Sequence, residues 1–306
     1  MTDRPFDVLS LCSGILTCHL AVKMAGLQSV FSIKTAVESD DYKKRLINDK
    51  ISTGEFTGTL FPDIKSYRGT EGQHQVIVGG TPCTGTSLGN TKRKGFSSGK
   101  SSLWNHFFRI VTEEQPRLVV WENPTGSRVP CKGTDLSPLG EVVGSLASLG
   151  FTVEWISVSG RERDHAGRLL LGQPHIRRRV FVFAYMHSRF GRKEFKKIPR
   201  WERHAGRYSR LLQALLEEQA SSISQPPYLQ GVDDGDAKEL DLRARLSGLV
   251  GGWWKLNPFT GPFFALKGSI PDRQDRVRAI GDACSVPELA LVMMHAAELI
   301  KWANEC

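Results

Sequence analysis

Three stretches of this chain bring reactive side chains to the abrupt ends of apolar runs, and a fourth run ends at a glycine. In HQVIVGGTPCTGTSLGN, His74 to Asn90, the run Val76-Ile77-Val78 stops at two glycines and Cys83 follows Pro82. A thiolate is the most reactive side-chain nucleophile near neutral pH, so a cysteine placed there is suited to attack a ligand. Pro82 fixes its own backbone angle and biases Thr81 toward an extended conformation. Gly79, Gly80 and Gly85 leave room for a ligand to approach the backbone. RLVVWENP carries Glu122 at the end of a second run, SVFSIKTAVE ends on Glu38, and DVLSL is followed by Gly14. In GQPHIRRRVFVFA, alternation along a strand sends Arg177 and Arg179 to one side and Arg178 to the other. Two guanidinium groups on one side can hold a phosphate or an electron-rich heteroatom.

Taken singly, each feature has an ordinary reading: a tight turn, a solvated acid, a small buried thiol, a basic turn. Their shared position carries the argument. In open α/β sheets, ligands collect at the carboxyl ends of strands. Gly14, Glu38, Cys83 and Glu122 each follow an apolar run of strand length. G-x-G-x-x-G is absent, because Gly14 stands alone. Glu38, 24 positions later, still suits the ribose of an adenosine-bearing cofactor. The missing pyrophosphate cradle points away from NAD, and there is no Walker motif. A thiol protease is disfavoured because no histidine lies in a comparable strand-end motif.

The elements that must position these residues alternate. DVLSL, SVFSIKTAVE, VIVGG, RLVVWENP, FTVEWISV and RRVFVFAY read as strands, and HLAVKMAG as a helix closed by Gly26. Strands alternating with helices predict a mainly parallel sheet covered on both faces. The rhythm stops near Met186. Arg189 to Arg210 is strongly basic, 217–241 is polar, and GLVGGWWKLNPFTGPFF is rich in Gly, Pro and aromatics. The expected organisation is a first domain over 1–186 and 272–306, with a smaller second domain over 187–271. SVPELALVMMHAAELIKWA reads as a long helix returning to the first domain.

The 306 residues carry 41 basic and 32 acidic side chains, a net charge of +9, which favours a polyanionic partner such as nucleic acid. No apolar run has the length of a membrane helix, and MTDRPFDVLSL does not read as a signal peptide. The 6 cysteines include no C-x-x-C pair, and Cys12, Cys18 and His19 have poor spacing for zinc, so reduced thiols and no metal are expected.

The ordered set resembles the DNA (cytosine-5)-methyltransferases. VLSLCSGILTCHLAVKMAG is similar to that family's first cofactor motif, AVESD to its ribose-binding segment and PDI (Pro62 to Ile64) to its adenine-binding one. VIVGGTPCTGTS is similar to its Pro-Cys loop, WENP to its Glu-Asn motif, QPHIRRRVF to its two-arginine motif and IGDACSVP to its last motif. The match covers about 6–186 and 276–300, and VIVGGTPCTGTS, RKGF and CSVP resemble the de novo animal type, within a chain as compact as a bacterial or phage enzyme.

The resemblance implies a Rossmann-like S-adenosylmethionine-dependent sheet with helices on both faces, plus a small target-recognition domain. It implies Cys83 as nucleophile, Glu122 on the pyrimidine edge, and Arg177 and Arg179 as supports of the base and its loop. Ser13, Gly14, Glu38, Asp63, Ile64 and Pro82 would meet S-adenosylmethionine or shape its site. Ser87, Asn123, Lys193, Lys196, Lys197 and Arg200 would serve the substrate, with Asn123 mainly bracing the loop and Arg203 and Arg207 adding phosphate contacts. The implied partner is double-stranded DNA, with a cognate restriction endonuclease as a further one. The expected chain is a monomer, cytoplasmic in a bacterial or phage-infected cell and nuclear in a eukaryote. An RNA (tRNA) cytosine methyltransferase and an inactive DNA-binding relative are the alternatives. The chain departs from the family pattern at Cys12, Leu16, Gln75, Thr84, Ser98 to Lys100, His175 and Asp282, where the family carries respectively Phe, a small residue, an acid, Gln, Asp-x-Arg, Gln and Asn.

Overall fold

The structure, a computed structural model, describes residues 4–82, 103–131, 135–163, 167, 170–171, 177–186, 198–221 and 272–305. Seven strands form one sheet: β1 Phe6–Leu11, β2 Phe31–Val37, β3 Thr59–Phe61, β4 Val76–Gly80, β5 Leu118–Pro124, β6 Phe151–Ser159 and β7 Arg178–Met186. Their order is β3-β2-β1-β4-β5-β7-β6. The first five run parallel; β7 lies antiparallel between β5 and β6. The helices are α1 Thr17–Met24, α2 Asp41–Ser52, α3 Leu103–Glu114, α4 Pro138–Ser148, α5 Trp201–Ser221, α6 Arg273–Asp282 and α7 Val286–Glu305.

Both faces of the sheet are covered, as the continuous apolar runs predict, because successive side chains alternate. Val8, Val78, Val120, Phe181 and Phe183 point into one core with α1, α5 and α7. Leu9, Leu11, Ile77, Val119, Trp121 and Val182 point into the other with α3 and α4. The six sequence-read strands are present; β3, three residues long, carries no alternation of its own and was not anticipated. The long final helix returns to the sheet as expected, with residues such as Leu291, Val292 and Leu299 fully buried. No helix among the described residues is long and apolar enough to cross a membrane.

Helix α5 falls within 187–271, the range read as a separate domain. Yet Trp201, Ala205, Tyr208 and Leu212 belong to the core shared by α1 and α7. His295 of α7 is fully buried between Tyr208, at 3.3 Å, and Glu154 of β6, at 3.1 Å. The basic run that suggested a nucleic-acid surface thus continues into a helix whose other side is apolar and packed. Residues 187–197 and 222–271 lie outside the described residues.

Candidate active site at the carboxyl ends of the strands

Chain order reverses between β1 and β4: β2 and β3 go to one side of β1, β4 and β5 to the other. Ligands bind such sheets at this switch point, in the crevice outside the carboxyl ends. Along that edge the chain sets Asp63 after β3, Glu38 after β2, Gly14 after β1, Pro82 after β4 and Glu122 near the end of β5. Because β7 is antiparallel, its first residues, with Arg179 paired to Pro124, reach the same edge. Of the strand-end grouping read from the sequence, Gly14, Glu38 and Glu122 therefore share one edge.

At the β1–β2 end, Ser13, Gly14 and Glu38 are tied together. The Ser13 hydroxyl donates to Ser10 O at 2.8 Å and accepts from Val37 N at 3.0 Å. It is buried and stitches the two strand ends. Glu38 accepts from the Gly14 N–H at 2.8 Å and from Ser39 and Asp40 N–H at 2.9 Å each. Three backbone donors orient a carboxylate with acceptor capacity still free on Oε2. Gly14 has φ +59, and a Cβ built there meets nothing within 4 Å, so there is open space above the turn. Cys12 and Leu16, two of the departures, also hold left-handed backbones, with φ 52 and 65. Burial, and then Glu38 nearby, pushes the Cys12 thiol up to about 12, so it stays neutral. Asp63 is half-buried beside this turn, its Oδ1 accepting from Lys65 N at 2.9 Å, while Ile64 is buried under it.

At the β4–β5 end, Gly80 pairs with Glu122, and a Cβ on Gly80 would lie 2.6 Å from Glu122 Oε2. The double glycine therefore leaves space for a carboxyl group as well as for a ligand. A Cβ on Gly79 would run into the Leu11 carbonyl of β1. Arg179 Nε sits 2.7 Å from Glu122 Oε1, close enough for an ion pair although the N–H is not aligned as a hydrogen bond. Burial raises the Glu122 carboxyl above the ordinary range, and Arg179 and Arg177 pull it back in part. Arg178 points away, to Glu162 at 3.6 Å, so the alternation in the arginine triplet is as the sequence indicates.

Thr81 is the hinge between β4 and the cysteine loop. Its carbonyl accepts from Asn123 Nδ2 at 2.9 Å and its hydroxyl from Trp121 Nε1 at 3.3 Å. Asn123 is fully buried, so it holds the chain that leads to Pro82. Cys83, Ser87, Lys193, Lys196 and Lys197 lie outside the described residues. Two residues, Thr81 and Pro82, separate Cys83 from Gly80, and three steps along the chain span at most about 11 Å. Arg200 is exposed at the start of α5. Arg207, partly exposed, pairs with Glu298 of α7 at 3.1 Å.

The sequence reading missed two contributors. Lys43 of α2, buried beside Cys12, pairs with Asp282 at 2.9 Å. Glu288 of α7 is fully buried next to Arg177, Arg179 and Glu122. Glu288 lies on the helical stripe of Leu291, Val292 and His295; an acid on an apolar stripe was the available signal.

A family model described as C-5 cytosine-specific DNA methylase matches residues 6–228. The Type II methyltransferase M.BsuRI of Bacillus subtilis is 28% identical over 202 residues, covering 59% of this chain and 43% of that protein. M.AluI of Cellulosimicrobium cellulans is 25% identical over 204 residues, 65% of this chain and 37% of that one. The chain thus spans less than half the length of these curated relatives. The structure of S. pombe Dnmt2 methyltransferase superposes with a TM-score of 0.51 at 14% identity, over 98% of this chain and 100% of the other. Entamoeba histolytica methyltransferase EhMeth gives 0.51 at 13%, over 95% and 98%. At such identities these two show the shared fold, a Rossmann-like methyltransferase sheet.

Proposed function

We propose, for a chain that belongs to the C-5 cytosine-specific DNA methylase family, that it transfers a methyl group from S-adenosylmethionine to C5 of cytosine in double-stranded DNA. The observation that carries this is the β4–β5 pair. The carboxyl of Glu122 lies over Gly80, held by Arg179, on the strand next to the one that leads into Pro82 and Cys83.

Cytosine C5 is too weak a nucleophile to take a methyl group unaided. Cys83 adds through Sγ to C6, which pushes electron density onto C5. Glu122, with its raised proton affinity, shares a proton with N3 and faces the exocyclic amine as charge develops on the ring. Arg179 holds that carboxyl in place and Arg177 adds positive charge beside it. C5 then bonds to the methyl carbon as that carbon's bond to the sulfonium sulfur breaks and S-adenosylhomocysteine leaves; C5 loses its proton to solvent, and the C6–Sγ bond breaks to free the thiolate. The target base must leave the duplex stack to reach such a site.

The residues at the β1–β2 end fit the cofactor: an open turn at Gly14, an oriented carboxylate at Glu38 for ribose hydroxyls, and Asp63 with Ile64 for adenine. Ser13 and Pro82 act on it through the backbone they fix. S-adenosylmethionine supplies an electrophilic methyl; everything else in the reaction falls to the side chains above. The 187–271 segment is the proposed target-recognition region, with Lys193, Lys196, Lys197, Arg200 and Arg203 for phosphates and salt-dependent binding. A cognate endonuclease is the partner the relatives' type suggests.

The test is labelled S-adenosylmethionine with duplex DNA and, separately, tRNA, followed by bisulfite sequencing. Label on C5 of DNA cytosine, lost in Cys83→Ser, supports the proposal. Label on tRNA alone, or none from folded protein, rejects it.

A further inference from the structure

Glu288 is the third residue of α7, and its side chain has no exposed surface. Among the described residues, neither carboxyl oxygen has a well-formed hydrogen bond. A carboxyl in the first turn of a helix ordinarily earns its place by accepting from that turn's free N–H groups. This one does not, and burying an acid with so little hydrogen bonding is costly. Its neighbours explain where it points. Arg179 faces it from β7 and Arg177 from just before that strand, Glu122 from β5, Cys284 from the lead-in to its own helix, and the Gly160 N–H from the turn after β6. Apart from the Gly160 amide and Cys284, these are the groups already placed around the pyrimidine site.

We propose that Glu288 is a positioning residue of this pocket, a second carboxyl that competes with Glu122 for the Arg177 and Arg179 guanidinium groups. The inference rests on the methyl-transfer reading above for its catalytic consequence, but not for the competition itself. Burial holds Glu288 protonated up to about 8, with Glu122 raising it further and the two arginines opposing. Below that pH, Glu288 is neutral and Arg179 belongs to Glu122. Above it, a second negative charge enters the same cluster, draws on the same arginines and loosens the Glu122–Arg179 pair. The pocket is thus built to lose its arrangement on the alkaline side.

Two measurements on the full chain test this. The first follows 13C-labelled glutamate carboxyls by NMR as pH rises. The wild type shows one carboxyl titrating near pH 8 that Glu288→Gln lacks. In Glu122→Gln, which keeps Glu288, that titration moves down by roughly one pH unit or more, because the competing charge is gone and the arginines are released. No such movement overturns the proposal. The second is kcat for methyl transfer against pH, where Glu288→Gln extends the alkaline limb upward by roughly one unit; superimposable profiles for the two proteins also overturn it. If the wild type transfers no methyl group at all, the functional reading fails, while the NMR coupling still decides whether the two carboxyls compete.

Discussion

Arg179 approaches Glu122 from the neighbouring antiparallel strand, with Nε 2.7 Å from Oε1 and both side chains largely buried. The contact exists because β7 runs against β5 and so delivers its first residues to the edge where β5 ends. Glu122→Gln keeps the shape and removes the ionisable proton. The expected result is a loss of turnover of about 100-fold or more, with the melting temperature nearly preserved. Arg179→Ala leaves the carboxyl with less positive charge, so both turnover and stability fall, the latter by about 1–3 kcal/mol. Kinetics and thermal melts on the two variants separate the roles; a Glu122→Gln enzyme with normal kcat would remove this residue from the chemistry.

The paired glycines give a sharper contrast. A Cβ at Gly79 would strike the carbonyl of Leu11, backbone against backbone, and only a shift of β4 from β1 could relieve it. A Cβ at Gly80 would lie 2.6 Å from the Glu122 carboxyl and 2.9 Å from its backbone oxygen. Gly79→Ala is expected to act mainly on folding, seen as a large drop in melting temperature or loss of soluble protein. Gly80→Ala is expected to displace the Glu122 carboxyl, so that kcat falls by more than its stability loss accounts for. The reverse ranking, with Gly80→Ala active and Gly79→Ala stable, would contradict the close approach.

Asn123 acts at one remove. Its amide donates to the Thr81 carbonyl, which lies on the backbone two residues before Cys83. Asn123→Ala leaves a buried carbonyl without that donor, at a cost of about 1–3 kcal/mol. The loop then starts from a less fixed peptide, so kcat should drop while the KM for S-adenosylmethionine holds, because the β1–β2 end is untouched. Steady-state kinetics with each substrate varied would show it; a change confined to the cofactor KM would refute the bracing role.

Much of this arrangement is legible in the sequence because it is written in short range. Apolar runs of strand length with a glycine or acid at the end locate β1, β2, β4 and β5, and the row of site residues follows from their parallel order. Alternation resolves Arg177 and Arg179 from Arg178 without a structure. What sequence does not carry is pairing over distance. Gln75, where the family has an acid, still accepts from Asp7 N at 2.9 Å, so the acceptor survives the loss of charge. Asp282 makes sense only beside Lys43, 239 positions away. Arg278 reaches Asp40 and Arg45 reaches Asp272, so α6 is tied to α2 by three such ion pairs. The α5 helix falls in the stretch that reads as a second domain because the strand–helix rhythm stops near Met186; its buried face, Trp201, Tyr208 and Leu212, declares itself only against α1 and α7.

The buried carboxyls also set how stability depends on pH. Glu288 is raised from an ordinary 4.5 to about 8, and Glu122 is raised as well, in both cases chiefly by burial. Such groups hold their protons more tightly in the folded chain than in the unfolded one. Folding is therefore favoured at low pH, and that advantage is lost as pH climbs from the unfolded value toward the folded one. Each pH unit in that window removes up to about 1.4 kcal/mol per group, and each kcal/mol is worth roughly 1.5–2 °C in Tm for a chain of this length. Between about pH 5 and about pH 8, wild type should lose Tm by several degrees more than Glu288→Gln, whose amide has nothing to ionise. Melting curves of the two proteins across that range check it. Parallel curves would mean that Glu288 finds a partner in the folded chain and ionises at its ordinary pH.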